Sequence, residues 1–199
     1  MAIERELKLT GVLPKLDGIE QIAGVRLEFL RTEQQQNRYF DLPDLRLRCA
    51  GKSLRLRHVL GKESVFTFKG ASAVHNGWHQ KQEIEVPAHG ATQILELQAP
   101  EILAQLGGID PADLIEICRF DTVRRVYELV GLGELCLDDV QILRGEDVLE
   151  QFSELELEAL PSADEQKLQN VARVLMAMGR LEPSAQSKSA RALAASAKK

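Results

Sequence analysis

Six short stretches of this chain carry ionisable or other polar side chains at every second position. In "IERELKL" they are Glu4, Glu6 and Lys8, and in "SLRLRH" they are Arg55 and Arg57. "SVFTFK" carries Thr67 and Lys69, and "HQKQEIEV" carries Lys81, Glu83 and Glu85. "ELCLDD" sets Glu134, Cys136 and Asp138 in one row, and "SELELEAL" does the same with Glu154, Glu156 and Glu158. Residues two apart on a strand project from the same face, so each stretch has one charged face and one apolar or neutral face. Arginine and lysine in groups complement phosphate oxygens, and arginine can do so with two parallel bonds. Carboxylates gathered from neighbouring strands suit hard, oxygen-preferring cations such as Mg2+ or Mn2+. Both sets together imply a metal–phosphate ligand.

For any single strand, a charged face turned to solvent is the ordinary explanation, because antiparallel sheets are commonly wet on one side. Six repetitions with few Ser, Thr or Gln residues to dilute the charge favour the opposite arrangement, with the charged faces lining a lumen and the apolar faces outside. A dry lumen of this kind would be costly, so it calls for water, metal and a polyanion to fill it.

The elements that must position these residues follow from hydropathy and turn signals. Residues 2 to 9 read as a strand. Pro14 to about Arg31 reads as a helix, with Leu16, Ile19, Ile22, Ala23 and Leu27 at helical spacing. Arg38–Asp41, Ser53–His58, Ser64–Lys69 and His79–Val86 form a meander of short strands punctuated by Pro43, Gly51, Gly61 and "GASAVHNG". A helical interval spans 91 to 106 and ends at Gly107 and Gly108. Leu114–Leu129, Glu134–Leu143 and Glu150–Ala159 alternate again. A last helix fits 162 to 178, with Ser162 as its cap and Leu168, Val171, Ala172, Leu175 and Met178 as its apolar stripe. About eight strands with few intervening helices favour a closed antiparallel β-barrel flanked by helices, in one α+β domain over residues 1–199, with a tail at 184–199.

The 199 residues and 44% apolar composition are those of an ordinary soluble domain. No apolar run approaches the roughly 20 residues of a membrane span and no secretory signal opens the chain, so we expect a cytoplasmic protein without a membrane partner. Net charge −5 and sparse aromatics disfavour a nucleic-acid partner. The mean hides crowding: Arg46, Arg48, Arg55 and Arg57 lie close together, as do Arg119, Arg124 and Arg125. Three scattered cysteines, Cys49, Cys118 and Cys136, suggest neither disulfides nor a zinc site and read as reduced packing residues.

Glu4-x-Glu6-x-Lys8 resembles the ExExK signature of the CYTH superfamily, also called triphosphate tunnel metalloenzymes. "RYFDLPDLRLRCAGKSLRLR", "FTFKG", "ELCLDD", "SELELEAL" and "SAQSKSARAL" resemble further motifs of that superfamily, so the likeness runs from residue 2 to 193. "GWHQKQEIEV" and "SKSARAL" are most similar to its bacterial inorganic triphosphatases. The resemblance implies an eight-stranded antiparallel tunnel, a Mg2+ or Mn2+ cofactor, and hydrolysis of triphosphate to pyrophosphate and phosphate by a monomer or homodimer. It implies that Lys8, Arg55, Arg57, Lys69, Arg124 and Lys188 bind triphosphate and that Glu4, Glu6, Asp138, Glu154, Glu156 and Glu158 hold metal. Glu4, Glu6 and Lys8 would be catalytic, and Lys81, Glu83 and Glu85 would support the site or its metal. Arg125 is expected to face outward, and Arg119 has no counterpart. Leu42 replaces the usual Thr of the loop motif, and Ala192 and Leu193 replace a frequent Gly-Tyr in the tail. Thiamine triphosphatase, another organic or nucleoside triphosphatase, class IV adenylyl cyclase and a non-catalytic polyphosphate-binding module remain as alternatives.

Overall fold

Alternation of charged and apolar residues, carried over strand after strand, gives a sheet whose two faces cannot share one environment, and closing the sheet separates them. The computed structural model describes residues 2–75 and 77–197. Met1, Asn76, Lys198 and Lys199, which belong to the expected domain, loop and tail, lie outside the described residues.

The chain runs through β1 (Ala2–Thr10), β2 (Gln21–Ile22), β3 (Val25–Asp41), α1 (Arg46–Cys49), β4 (Ser53–Val59), β5 (Val65–Lys69), β6 (Ala73–His75) and β7 (Trp78–Pro87). It continues through α2 (Pro100–Leu106), β8 (Ile115–Leu129), β9 (Gly133–Arg144), β10 (Asp147–Ala159), α3 (Glu165–Gly179), β11 (Glu182–Pro183) and α4 (Lys188–Ala197). Neighbours in the sheet run β1, β10, β9, β8, β3, β4, β5 and β7, and β7 pairs back onto β1. Every pairing in that ring is antiparallel, so eight strands close the expected barrel, with β2, β6 and β11 as short additions.

The apolar faces point outward under the helices. Leu7, Leu9, Leu135, Leu137, Leu155 and Leu157 pack against Leu168, Val171, Ala172 and Leu175 of α3. Leu54, Leu56, Phe66, Phe68 and Ile84 pack beneath Ile102 and Leu106 of α2. Each fully buried Leu or Phe contributes roughly 1.5–3 kcal/mol relative to an exposed one. The third cluster lies on the charged side of the wall. Phe120, Val140, Ile142 and Tyr39 surround Ala192 and Ala195 of α4, so the tail helix seats within one end of the lumen. Arg191 fixes it there by bonding Glu150 at 2.6 Å and stacking 3.9 Å over Phe152. The small side chains of Ala192 and Ala195 permit this close approach.

Several sequence expectations are corrected. Residues 14–31 form no helix. Ala23 (φ 51) and Gly24 (φ 79) make a two-residue hairpin loop between Ile22 and Val25, a turn that both positive φ values select. Leu16, Ile22 and Leu27 reach the core nonetheless. The interval 91–106 holds only a 3-10 turn at Ile94–Glu96 and α2. Asp164, not Ser162, caps α3 by accepting from Lys167 N, and Gly179 rather than Met178 is buried at its end. Cys49 is exposed, while Cys118 and Cys136 are buried and free.

Candidate active site

The inward faces of the eight strands enclose a cavity of about 740 Å3. Eleven Lys and Arg residues and ten Asp and Glu residues line it, so its wall is near neutral while the whole chain carries −5. Glu4, Glu6, Lys8, Arg55, Arg57, Lys69, Lys81, Glu83, Glu85, Arg124, Glu156, Glu158 and Lys188 all lie on that wall. Asp138 and Glu154 are buried immediately beside it. The structure therefore brings together the residues that the family resemblance assigned to the site. Arg125 faces outward to Asp139 at 3.2 Å, and Arg119 pairs with Glu116 outside the lumen.

The acids fall into two triads. One carboxylate oxygen from each of Glu4, Glu6 and Glu158 lies within 4.8 Å of the others, and the same holds for Asp138, Glu154 and Glu156. Register explains both, because Glu6 pairs with Glu158 across β1 and β10, while Glu154 pairs with Asp138 across β10 and β9.

Cations from other strands hold the triads. Lys69 Nζ lies 2.8 Å from Glu4 and 3.2 Å from Glu83, and Lys81 reaches Glu4 at 3.4 Å and also bonds Glu6. Lys8 stands between the triads, 3.2 Å from Glu6 and 3.8 Å from Glu156. Arg124 donates to both oxygens of Asp138 at 2.8 and 2.7 Å and to Glu156 at 2.6 Å. Lys188, the first residue of α4, lies 2.8 Å from Asp138 and from Glu156 and bonds Glu154 as well.

These contacts set the titration of the site. Burial and Glu156 push Glu6 upward, but Lys8, Lys81 and Lys69 together outweigh them and bring its pKa to about 2. Burial raises Glu158 to about 7 despite Arg124, and raises Glu154 to about 7 despite Lys188. Glu156 stays well below the usual carboxylate range, since Lys188, Arg124 and Lys8 overcome its burial. Across the lumen, Arg55 and Arg57 are two like charges side by side. Arg55 and burial lower the pKa of Arg57. Glu85, 2.7 Å from Arg57 and 3.6 Å from Arg55, is shared between them. The Nε atoms of both arginines are buried without a hydrogen-bond partner, as is Thr122 Oγ1 on the same wall. Buried donors of that kind call for an acceptor.

The chain itself supplies the test of whether a divalent cation fits. Each triad is all oxygen and carboxylate, the donor chemistry of Mg2+ or Mn2+.

Sequence reasoning missed one part of the wall. Arg31, Glu33, Gln35 and Asn37 line the cavity from β3. A bulge between Phe29 and Arg31 turns this row inward, whereas Leu27 and Val25 two and three turns of the pleat earlier face the α3 core. Glu33 accepts from Arg31, Gln35 and Lys62, each at 2.7 Å. The signal was faint, because Gln34 and Gln36 on the other face are polar too. His79, the histidine nearest the site strands, also lines the cavity and approaches the Ser184 carbonyl at 3.3 Å.

The family described as the CYTH domain matches residues 2–193. The chain belongs to the CYTH domain family. No protein of curated function matches it. Among solved structures it is similar to a putative adenylyl cyclase from Hippeastrum described as having a dominant triphosphatase activity, with 20% identity, TM-score 0.67, and coverage of 94% of this chain and 93% of that one. A putative adenylate cyclase from Bacillus halodurans is 19% identical at TM-score 0.65, with 96% and 98% covered. The triphosphatase of the Mimivirus capping enzyme is 11% identical at TM-score 0.50, with 87% and 89% covered. At these identities the likeness is one of fold, and the CYTH tunnel is the fold they share. No described helix of this CYTH protein is long and apolar enough to cross a membrane.

Proposed function

We propose that this CYTH protein hydrolyses inorganic triphosphate to pyrophosphate and phosphate inside its tunnel, with Mg2+ or Mn2+. The observation that carries the reading is the unbalanced arginine pair: Arg55 and Arg57 repel one another and keep buried Nε donors without partners, facing carboxylate triads across one cavity. A compact polyanion relieves the repulsion and satisfies the donors.

In this reading Arg55, Arg57, Lys69, Arg124, Lys8 and Lys188 bind phosphate oxygens. Glu4, Glu6 and Glu158 hold the first divalent ion, because their triad opens onto the cavity, with the Glu158 side chain 34% exposed. Asp138, Glu154 and Glu156 accept a second ion only as Lys188 leaves them, since its ammonium already touches all three. A bound divalent ion would supply charge neutralisation at the phosphoryl oxygens. Glu6, with its pKa near 2, is too weak a base to remove a proton at neutral pH, so it orients the attacking water as an ionised acceptor. Lys81, Glu83 and Glu85 set the positions of Glu6, Lys69 and the arginine pair.

A nucleobase or thiamine ring would want an aromatic platform. Among the described residues, the aromatic side chains along the cavity are Tyr39, Phe40 and Phe120, and all three are packed into buried clusters. That favours the inorganic substrate over thiamine triphosphate, ATP or a cyclase reaction. The test is a panel of triphosphate, thiamine triphosphate, ATP and long-chain polyphosphate, each with Mg2+ or Mn2+, scored for phosphate and cyclic AMP. Triphosphate should be turned over fastest; equal or faster turnover of ATP or thiamine triphosphate, or cyclic AMP formation, contradicts the assignment.

A further inference from the structure

Of the eleven cations that line the cavity, nine stand within 4.0 Å of a carboxylate. The other two, Arg48 and Lys52, have no ion-pair partner among the described residues. They stand at one rim, at the same end of the barrel as α4, whose first residues share the cavity lining with them. The opposite rim is unlike it, because its cations Arg31 and Lys62 both bond Glu33, and Glu63 and Glu134 stand nearby on the same lining. The tunnel is therefore polarised along its length, with acids in excess at one mouth and, at the other, two unpaired cations above the single buried acid Asp41.

The free pair is held in place by the backbone. Asp41 is buried and accepts from three main-chain N–H groups, those of Leu42 at 2.8 Å, Leu47 at 2.9 Å and Arg48 at 2.9 Å. Leu47 is buried in the α2 core. The Lys52 N–H bonds the Leu47 carbonyl at 2.8 Å, and Gly51 (φ 72) makes the turn between Arg48 and Lys52. The Lys52 ammonium lies 6.0 Å from the Phe68 ring, which supports its stem without neutralising it. Arg46, one turn position away, is tied to Asp44 at 3.0 Å and does not line the cavity.

We propose that Arg48 and Lys52 form an extension site for phosphate groups beyond the third, so that linear inorganic polyphosphate of four or more phosphates lies with its end among the central residues and its remainder across this rim. The inference rests on the reading of the tunnel as a triphosphate site. A polyanionic chain is the ligand that uses central and rim cations together, since each further phosphate adds charge along the same line. An RNA or nucleotide tail would instead need bases stacked on aromatic rings. Among the described Phe, Tyr and Trp side chains, the exposed one is Phe29 on β3, towards the opposite rim.

The test measures kcat/KM and, in EDTA, the Kd for tripolyphosphate, tetrapolyphosphate and a longer linear polyphosphate, in wild type, Arg48→Gln/Lys52→Gln, Arg48→Lys/Lys52→Arg and Arg46→Gln. In wild type the longer chains should bind more tightly than tripolyphosphate. The double Gln variant should lower the tetra-to-tripolyphosphate ratio of affinities by about tenfold, chiefly through KM. The charge-conserving variant should restore that ratio, and Arg46→Gln should leave it as in wild type. An unchanged ratio in the double Gln variant overturns the site, as does tighter binding of a 5′-triphosphorylated RNA through the same two residues. If no phosphate compound is hydrolysed but the ratio still falls in EDTA, the extension site stands and the hydrolase reading fails.

Discussion

The two carboxylate triads have the same composition of donors and opposite settings. Glu4 and Glu158 are half-buried where the lumen opens, with Glu6 buried between them, and their cations come from the barrel itself, Lys69 on β5, Lys81 on β7 and Lys8 on β1. Asp138, Glu154 and Glu156 are buried, with Asp138 fully excluded from solvent, and one of their two principal cations is Lys188 from the tail helix. A row of acids in a sequence therefore does not by itself define a metal site; the cation already seated among them decides what can enter. The first triad can exchange lysine for a divalent ion with little rearrangement. In the second, the ammonium belongs to a helix packed into the barrel end, so exchange involves the seating of that helix.

The largest effect is expected at the open triad. Glu6→Gln should lower triphosphate turnover on the order of a thousandfold, the scale of removing one preorganised electrostatic group, while the thermal unfolding curve keeps its cooperative shape. Steady-state phosphate release on the folded variant checks it. At the buried triad the main effect should appear in stability. Lys188→Met leaves three buried carboxylates short of a cation, and in metal-free buffer it should cost about 3 kcal/mol, the scale of breaking a buried pair. Mn2+ should return much of that loss in chemical denaturation, because it can now enter; Lys69→Met at the open triad should be both milder and less responsive.

Leu155→Ala probes the wall between the two sides. Leu155 alternates with Glu154 and Glu156, is fully buried and packs outward on the α3 core, so the change should cost about 3 kcal/mol with Mn2+ binding retained. A negligible cost would reverse the assignment of inside and outside.

The smallest effect concerns Glu33, which belongs to neither triad. Burial raises its pKa, but Arg31, Lys62 and Gln35 outweigh burial and bring it to about 2. A carboxylate depressed in the folded state stabilises fully above its unfolded pKa and loses that contribution as pH falls through the folded one. Wild type should therefore exceed Glu33→Gln by about 1 kcal/mol at pH 6, since Arg31 and Lys62 are partly solvated, and the gap should close as pH falls from about 4.5 towards 2. Denaturant titrations of both proteins across that range measure it.

The sequence was most legible where the two faces of a strand differ sharply in hydropathy. Leu155 and Leu157 against Glu154, Glu156 and Glu158, or Phe66 and Phe68 against Thr67 and Lys69, define both the strand and its inward face. Legibility failed on β3 for a physical reason. Gln34 and Gln36 lie on a stretch of outer wall without a covering helix, so both faces are polar there and the period of two disappears. Upstream, Leu16, Ile19, Ile22 and Leu27 recur at helical spacing, yet Ala23-Gly24 is a hairpin turn, and the turn chemistry overrides the spacing. The bulge near Leu30, which brings Glu33 into the lumen, leaves no mark in hydropathy at all. Lys188 came from family likeness; a lysine in an Ala- and Ser-rich tail gives no sign that it will meet Asp138 across about 50 residues of chain.

Direct titration of Mn2+ into wild type, Glu4→Gln, Glu6→Gln and Asp138→Asn, followed by calorimetry, tests whether Glu4, Glu6 and Glu158 take the first ion. Wild type and Asp138→Asn should each bind one ion, and binding should weaken at least about a hundredfold in Glu4→Gln and Glu6→Gln. Undiminished Mn2+ binding in both of those variants would contradict that assignment.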